Sequence, residues 1–550
     1  MLNHFKDFVW DVNRKINNLM IWTGLWCPVL NIIIVILIEI MKEDSWNGIS
    51  REKFHLAVLL GIGEALFVVI GNLVFHYFYG SRDISLLAFI EGLLLCKKYD
   101  RNDIMNIFPR VSDNLKVKTG KGNIIFGKWH GRTIGKPLDQ QSGHVNVIAA
   151  TGGGKTTNCI FPTIFNILEA NSMGSCASFL AVDIKGELEA ITKNVSQKKN
   201  LPCTYKVFNP EREDTFGFNP YFILRGIDNS DEKVEIFEEI SSILIPMNND
   251  EKGNSFWIEG GRSYLTGALW YYYAYEHLGF IESLKKIAKT DPYDFALIVK
   301  GWEDRYIDVY YSDIYPYAEK REKTLSFFFS EVKRNIQLFS VNRAIAEAFS
   351  KREEHCIEPE DLLQGTNIFL QISEMKMPIY NKACALIINM FVRQFVGLHE
   401  TECNLPDTAW LLDEFAQLPY MPSMDRCVST VRSKGVTLVF CLQEPENQLR
   451  SKYGAESAKI FMQNCTYNII YTLTGESAEY FSKDIGEYDK NTKSYSKGKN
   501  ESVTISTRKE RIFPAQEFRK LKDRRKAVLL SPYGYNYIDA APWYREKKWK

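Results

Sequence analysis

Five hundred and fifty residues exceed what one hydrophobic core organises, and at roughly 100–200 residues per domain they suggest about three or four folding units. Hydrophobic residues at 45% and charged residues at 25% are ordinary globular values, which excludes disordered, collagen-like and disulfide-scaffold classes. Sixty-eight Lys and Arg against 67 Asp and Glu leave a formal charge of +1, so any surface for nucleic acid must be local. Eleven cysteines, from Cys27 to Cys465, include no CxxC pair. Their odd number fits free thiols in a reducing compartment rather than a zinc or disulfide framework.

The N-terminus departs from this average. Residues 20–38 run 19 positions without a charge, close to the roughly 20 needed to cross a bilayer. The core of a signal peptide spans about 7–15 residues, and here Glu39, Lys42, Glu43 and Asp44 follow in place of a small-residue cleavage site. A second run, 56–79, carries Glu64 and His76. A carboxyl near mid-bilayer costs about a few kcal/mol, so Glu64 is expected to face a partner helix or subunit. The alternative for this run is a buried soluble helix. Residues 1–81 are therefore expected as a transmembrane hairpin, followed by a juxtamembrane linker over 82–114. Within that linker the apolar stretch 84–95 is too short to cross and reads as a helix at the membrane surface. Lys6, Arg14 and Lys15 before the first span and Lys42, Arg51 and Lys53 in the loop do not orient the hairpin.

Further on, VNVIAATGGGKTTNCIFPTIFNIL reads as a buried strand, a glycine turn and a helix with Pro162 near its start. Ala149, Ala150, Thr151, Gly152, Gly153, Gly154, Lys155 and Thr156 fit GxxxxGK[ST], except that Ala149 replaces the first Gly. Glycines let successive backbone N–H groups turn toward phosphate, and the helix N-terminus adds positive potential. Lys155 can reach the β- and γ-phosphates of ATP, and Thr156 can offer its hydroxyl to Mg²⁺. Thr151, Gly152, Gly153, Gly154 and Thr157 complete the candidate cofactor-binding set. The run TAWLLDEF then supplies two carboxylates at a strand end, Asp413 for Mg²⁺ and Glu414 to polarise the attacking water. VTLVFCL is followed by Gln443, which can sense the γ-phosphate or, alternatively, is a solvated loop residue.

These motifs, in this order behind a two-span anchor, resemble the type IV secretion coupling proteins, membrane-bound ATPases that bring DNA–relaxase complexes to conjugation machinery. SFLAVDIKGEL matches the family's D-x-K-G-E string at Asp183, Lys185, Gly186 and Glu187, although Ile184 stands where Pro is frequent. VFNP, FNP, NSFWIEGGRSYLTG, LDEFAQLPYMP, VRSKGVTLVFCLQ, NQLRSKYG and RKERIFPAQEFRKL extend the likeness to about residue 542. The resemblance implies a nucleotide site at Gly152, Gly154, Lys155, Thr156, Asp413, Glu414 and Gln443. It also implies that Arg432 enters the neighbouring subunit's site; without it, Arg432 reads as a surface arginine. The catalytic set is then Lys155, Glu414, Arg432 and Gln443.

Apolar strand-like runs alternate with helical stretches over 115–221 and 363–550, which predicts a mostly parallel sheet with helices on both faces. With the phosphate loop this is an α/β, RecA-like P-loop NTPase sheet. Between 222 and 362 the spacing is closer to 3.6 and reads as an inserted all-helical domain, which the family also has. Its aromatics (Phe256, Trp257, Trp270, Tyr271, Tyr272, Tyr273, Phe327, Phe328 and Phe329) read as core rather than a ligand box. Residues 488–503 have no apolar periodicity and read as a mobile loop, either solvated or touching the phosphodiester backbone. The chain stops at Lys550, soon after the last strand-like run, so no long C-terminal adaptor-binding extension is expected. ATP is cytosolic, which would put the ATPase domain and the N-terminus on the cytoplasmic side of the cell membrane. The expected activity is ATP-driven movement of relaxase-bound single-stranded DNA toward other type IV secretion channel subunits, by a homo-hexamer. Alternatives are a coupling ATPase for effector proteins only, a segregation translocase for duplex DNA, and a membrane receptor whose nucleotide site drives assembly without hydrolysis.

Overall fold

The computed structural model describes residues 111–550 apart from 140–142, 248–254, 374, 399–404, 419, 422 and 497–501. Both expected transmembrane spans, and the linker up to residue 110, lie outside the described residues. Among the described residues no helix is long and apolar enough to cross a membrane. The chain divides into two compact units, one of Val111–Gly486 with Phe513–Lys550, the other of Met1–Arg110 with Glu487–Ile512.

In chain order the strands are β1 (Asn123–Trp129), β2 (Arg132–Pro137), β3 (Val145–Ala149), β4 (Ser178–Asp183), β5 (Tyr205–Phe208), β6 (Asn367–Gln371) and β7 (Thr408–Leu412). They continue with β8 (Val436–Leu442), β9 (Tyr467–Thr472), β10 (Glu487–Ser496), β11 (Ser502–Arg511), β12 (Lys526–Ser531) and β13 (Gly534–Asp539). The larger unit holds an 11-stranded sheet in the order β2-β1-β13-β12-β9-β3-β8-β7-β4-β6-β5. From β9 to β5 the strands are parallel. The sheet is mostly parallel, as expected; at its other edge β12, β13, β1 and β2 pair antiparallel. Of these, β2 (RTIGKP) and β13 (GYNYID) are short and half polar and carry no continuous apolar signal.

Buried parallel strands need apolar side chains on both faces, because successive residues point to opposite sides. β3, β4, β6, β7 and β8 are buried at every position. Leu180, Val182, Trp410, Leu412, Leu438 and Phe440 enter one core. Their neighbours Phe179, Ala181, Ala409, Leu411, Val439 and Cys441 enter the other, covered by Phe161, Ile164 and Phe165 of the helix Phe161–Ser172. Between β5 and β6 the described residues form helices and turns, including Ser230–Leu244, Ser255–Ala274, Phe280–Lys289 and Lys323–Val341. Phe237, Leu265, Leu284 and Phe339 from these helices belong to the same core as Trp410 and Phe440 of the sheet. The helical stretch therefore shares a continuous apolar core with one face of the sheet.

One sequence expectation holds only in part here, and another fails over its described residues. Phe256, Trp257 and Phe327 are 52%, 36% and 55% exposed, while Trp270, Tyr271, Tyr272, Phe328 and Phe329 are buried. A helix turns about 100° per residue, so three consecutive aromatics such as Phe327, Phe328 and Phe329 cannot all face one core. Of the expected loop 488–503, residues 497–501 lie outside the described residues, and the rest is strand: β10 and β11 pair antiparallel from Glu487↔Arg511 to Ser496↔Ser502. The sequence 488–503 has no apolar periodicity, so its strands carry no hydrophobic signal.

His144 joins the entrance of β3 to β8. Its Nδ1 accepts the Leu438 N–H at 3.1 Å, which leaves Nε2 protonated to donate to the Val428 carbonyl at 3.0 Å. Burial, helped by the nearby Lys136 charge, pushes its pKa down from 6.5 to about 3. The folded protein keeps the ring neutral where the unfolded chain protonates it. Stability contributed by this group is therefore complete above 6.5 and is lost as pH falls from there toward 3, by about 1.4 kcal/mol per pH unit. Denaturant midpoints measured from pH 7 to 5 are expected to fall in the wild type, and less steeply in His144→Gln. Equal slopes would refute the assignment.

Candidate nucleotide site

β3 delivers the chain to the loop 150–155 at the carboxyl edge of the sheet. The Ala150 N–H donates to the Thr472 carbonyl at the end of β9 (3.3 Å), Gly153 N–H to Ala150 (2.8 Å) and Asn158 N–H to Gly154 (2.9 Å). Gly152 and Gly154 have φ of +67° and +88°, which side-chain-bearing residues rarely adopt. A Cβ on Gly153 would stand 2.7 Å from the Ala149 Cβ, the Ala150 oxygen and the Thr472 Cγ2. The methyl of Ala149 uses the room that Gly153 leaves, which is why Ala is accommodated where the motif has Gly. Beyond the loop, Thr156–Ile160 is a π-helical turn that runs into Phe161–Ser172. This wider turn relieves the crowding that Pro162 would impose on a regular one.

Lys155 is only 6% exposed, and its ammonium donates to the Ala149 carbonyl at 3.0 Å. Thr156 Oγ1 donates to Asp413 Oδ2 at 3.1 Å, Thr157 Oγ1 to the Gly154 carbonyl at 3.2 Å, and Thr151 Oγ1 to Gln443 Oε1 at 3.3 Å. Asp413 and Glu414 follow β7, and Gln443 follows β8, so strand order alone brings them beside the loop. Gln443 Nε2 donates to Glu414 Oε2 at 3.5 Å. Glu414 itself adopts φ +49°, and its N–H donates to Asp413 Oδ1 at 3.1 Å. Thr151, Gly152, Gly153, Gly154, Lys155, Thr156, Thr157, Asp413, Glu414 and Gln443 thus form one cluster. Glycine amides, a buried lysine and a hydroxyl–carboxylate pair are a donor set that fits nucleotide phosphates and a magnesium ion. Cys159 and Cys441 lie buried beneath it. Burial pushes the first thiol up to about 12 and the second well above its ordinary value, so neither supplies a thiolate.

Arg432 is the exception. It is exposed in the short turn Val431–Lys434 before β8, where its charge acts on Lys136 and His144. Gln443 follows the opposite end of the same seven-residue strand, about 23 Å away at about 3.3 Å per residue. Within one chain Arg432 does not reach the cluster. The D-x-K-G-E string has a structural role: Asp183 Oδ2 accepts the Leu188 and Glu189 amides at 3.1 and 3.3 Å and caps the helix Glu187–Lys199. Two supporting residues escaped sequence reasoning. Asn158 Nδ2 donates to the Gly154 carbonyl at 2.8 Å, and Gln448 Oε1 accepts the Gln443 N–H at 3.0 Å.

The family model for type IV secretory system conjugative DNA transfer matches residues 103–550. The chain belongs to this family. Among solved structures, the conjugative coupling protein TrwBΔN70 in its unbound form is 16% identical, with a TM-score of 0.57 over 78% of this chain and 89% of that one. TrwB with the non-hydrolysable ATP analogue ADPNP is 14% identical, with a TM-score of 0.56 over 81% and 92%. TrwB with ADP and Mg²⁺ is likewise 14% identical, with a TM-score of 0.55 over 81% and 92%. At such identities the likeness to this coupling protein is one of fold. No curated protein matches the sequence.

Proposed function

We propose that this coupling-family protein is a membrane-anchored ATPase that works as a homo-hexamer at the cytoplasmic face of the cell membrane. It recruits the relaxase–DNA complex and uses ATP hydrolysis to drive single-stranded DNA into a type IV secretion channel. The observation that carries this reading is the 3.1 Å contact between Thr156 and Asp413, with Glu414 and Gln443 alongside. Magnesium, when bound, supplies charge neutralisation across the β- and γ-phosphates. Loop amides and Lys155 hold the phosphates, Thr156 and Asp413 hold the ion, Glu414 orients and deprotonates the attacking water, and Gln443 reads the γ-phosphate. Arg432 completes a neighbour's site. The two apolar runs at 20–38 and 56–79 supply the anchor, and TrwB's nucleotide complexes support the choice of ATP.

Purified full-length protein is expected to hydrolyse ATP slowly alone and several-fold faster with single-stranded DNA. That stimulation should fade between about 50 and 200 mM salt, as phosphate contacts do. Hydrolysis indifferent to DNA at every salt concentration would remove DNA from the proposal. Absence of hydrolysis would favour the receptor reading.

A further inference from the structure

The segment that follows Glu414 is held by a lysine outside the nucleotide cluster. Glu414 occupies the left-handed region, φ +49° and ψ +40°, a conformation that is unfavourable for a β-carbon-bearing residue and persists only where surroundings impose it. Downstream, the turn Phe415–Gln417 leaves its carbonyls pointing at the helix Pro445–Asn464. Lys452 on that helix donates to the carbonyls of Ala416 at 2.6 Å, of Phe415 at 3.5 Å and of Leu418. Among the described residues no carboxylate forms an ion pair with Lys452; backbone dipoles are its counter-charge. The same contact has an apolar half. Phe415 lies 4.7 Å from Phe440 of β8 and is parallel to Tyr453, 2° between planes at 6.1 Å.

The helix has a second grip on the site. Gln448 Oε1 accepts the N–H groups of Gln443 and Glu444 at 3.0 and 3.2 Å. Gln448 and Lys452 are four residues apart, on one helical face. One rigid turn therefore fixes both the Gln443 backbone and the segment behind Glu414. Two residues on, Gly454 breaks helical geometry with φ +86° and ψ 170°. The rigid piece ends there.

We infer that Lys452 is a positioning residue for the hydrolytic carboxylate: by gathering the carbonyls behind Glu414 it fixes that side chain against Gln443. This rests on the ATPase reading above and deepens it. Burial without a partner anion pushes the Lys452 pKa down to about 8, in keeping with an ammonium enclosed by carbonyls. Misplacing a catalytic group by about 1 Å can cost about 100-fold in rate, while the phosphate loop, which Lys452 does not touch, should bind as before.

The test uses the full-length chain with Lys452→Met, which keeps the stem and removes the donors, and Lys452→Arg, which restores donors. Lys452→Met is expected to lower kcat at least 10-fold with KM for ATP and affinity for ADP within about twofold. Lys452→Arg should recover part of kcat. Amide hydrogen exchange without nucleotide should rise over 414–418 in Lys452→Met and stay unchanged over 150–157. Wild-type kcat in Lys452→Met, or protection over 414–418 equal to wild type, would overturn the inference. So would parallel losses of kcat and ADP affinity in both variants, which would mark a general packing role. If the wild type itself hydrolyses no ATP, the ATPase reading fails while the exchange measurement still decides whether Lys452 holds the segment.

Discussion

Lys155→Ala is expected to reduce ATP hydrolysis by about 100- to 1,000-fold, the usual consequence of removing one preorganised charge from a phosphoryl-transfer site. DNA transfer should stop with it. The fold should survive. Lys155 donates a single hydrogen bond to the Ala149 carbonyl and forms no ion pair among the described residues, so its loss strands no buried carboxylate. A hydrogen bond from a charged donor contributes about 1.5–3 kcal/mol, a few degrees of melting temperature in a protein this large. The Thr156–Asp413 contact is independent of the lysine and should persist, so insertion into membranes should be unaffected. Steady-state ATPase, thermal melting and a mating assay on the same variant check all parts. Turnover or transfer near the wild-type level in a normally folded variant would refute the motor role.

How much of this was legible in the sequence depends on the distance over which each feature is encoded. The phosphate loop is local: glycines at 152, 153 and 154, then Lys155 and Thr156, act through backbone geometry that the string itself dictates. Asp413, Glu414 and Gln443 were legible one step less directly, because an apolar run ending in a polar residue fixes which edge of a parallel sheet that residue occupies. Ala149 looked like a defect in the motif, and only the missing Cβ of Gly153 across from it explains why it is harmless. Lys452 and Gln448 stand in the string NQLRSKYG, which marks the family likeness but assigns neither a role. A lysine among KYG and a glutamine after a proline are ordinary surface types until the helix Pro445–Asn464 is laid against the turn Phe415–Gln417. The pairing of β10 with β11 was illegible for another reason: the sequence there has no apolar periodicity, so only the backbone register shows the two strands.

The shared core has a consequence for how the helical stretch communicates with the site. Glu239, on the helix Ser230–Leu244, accepts from Arg393 on the helix Met377–Gly397 and from Ser423, at the start of Met424–Thr430. That last helix leads directly into the turn bearing Arg432. Glu239 on the helical stretch is therefore one hydrogen bond and one helix away from the turn that bears the arginine.

Arg432→Ala is expected to lose about 1,000-fold or more in turnover while keeping ADP affinity, because the arginine stands at the far end of β8 from its own chain's cluster. Complementation separates this from a structural defect. Lys155→Ala has a dead phosphate loop and an intact Arg432; Arg432→Ala has the reverse. In a ring of head-to-tail contacts, mixing the two equally places an intact loop against an intact arginine at about a quarter of interfaces. Each variant alone should be inactive, and the mixture should regain a measurable fraction of wild-type hydrolysis once subunits exchange. An arginine acting within its own chain predicts no recovery at any ratio. Recovery that tracks the number of mixed interfaces, and disappears when both substitutions sit in the same chain mixed with itself, would establish that each site is built from two subunits.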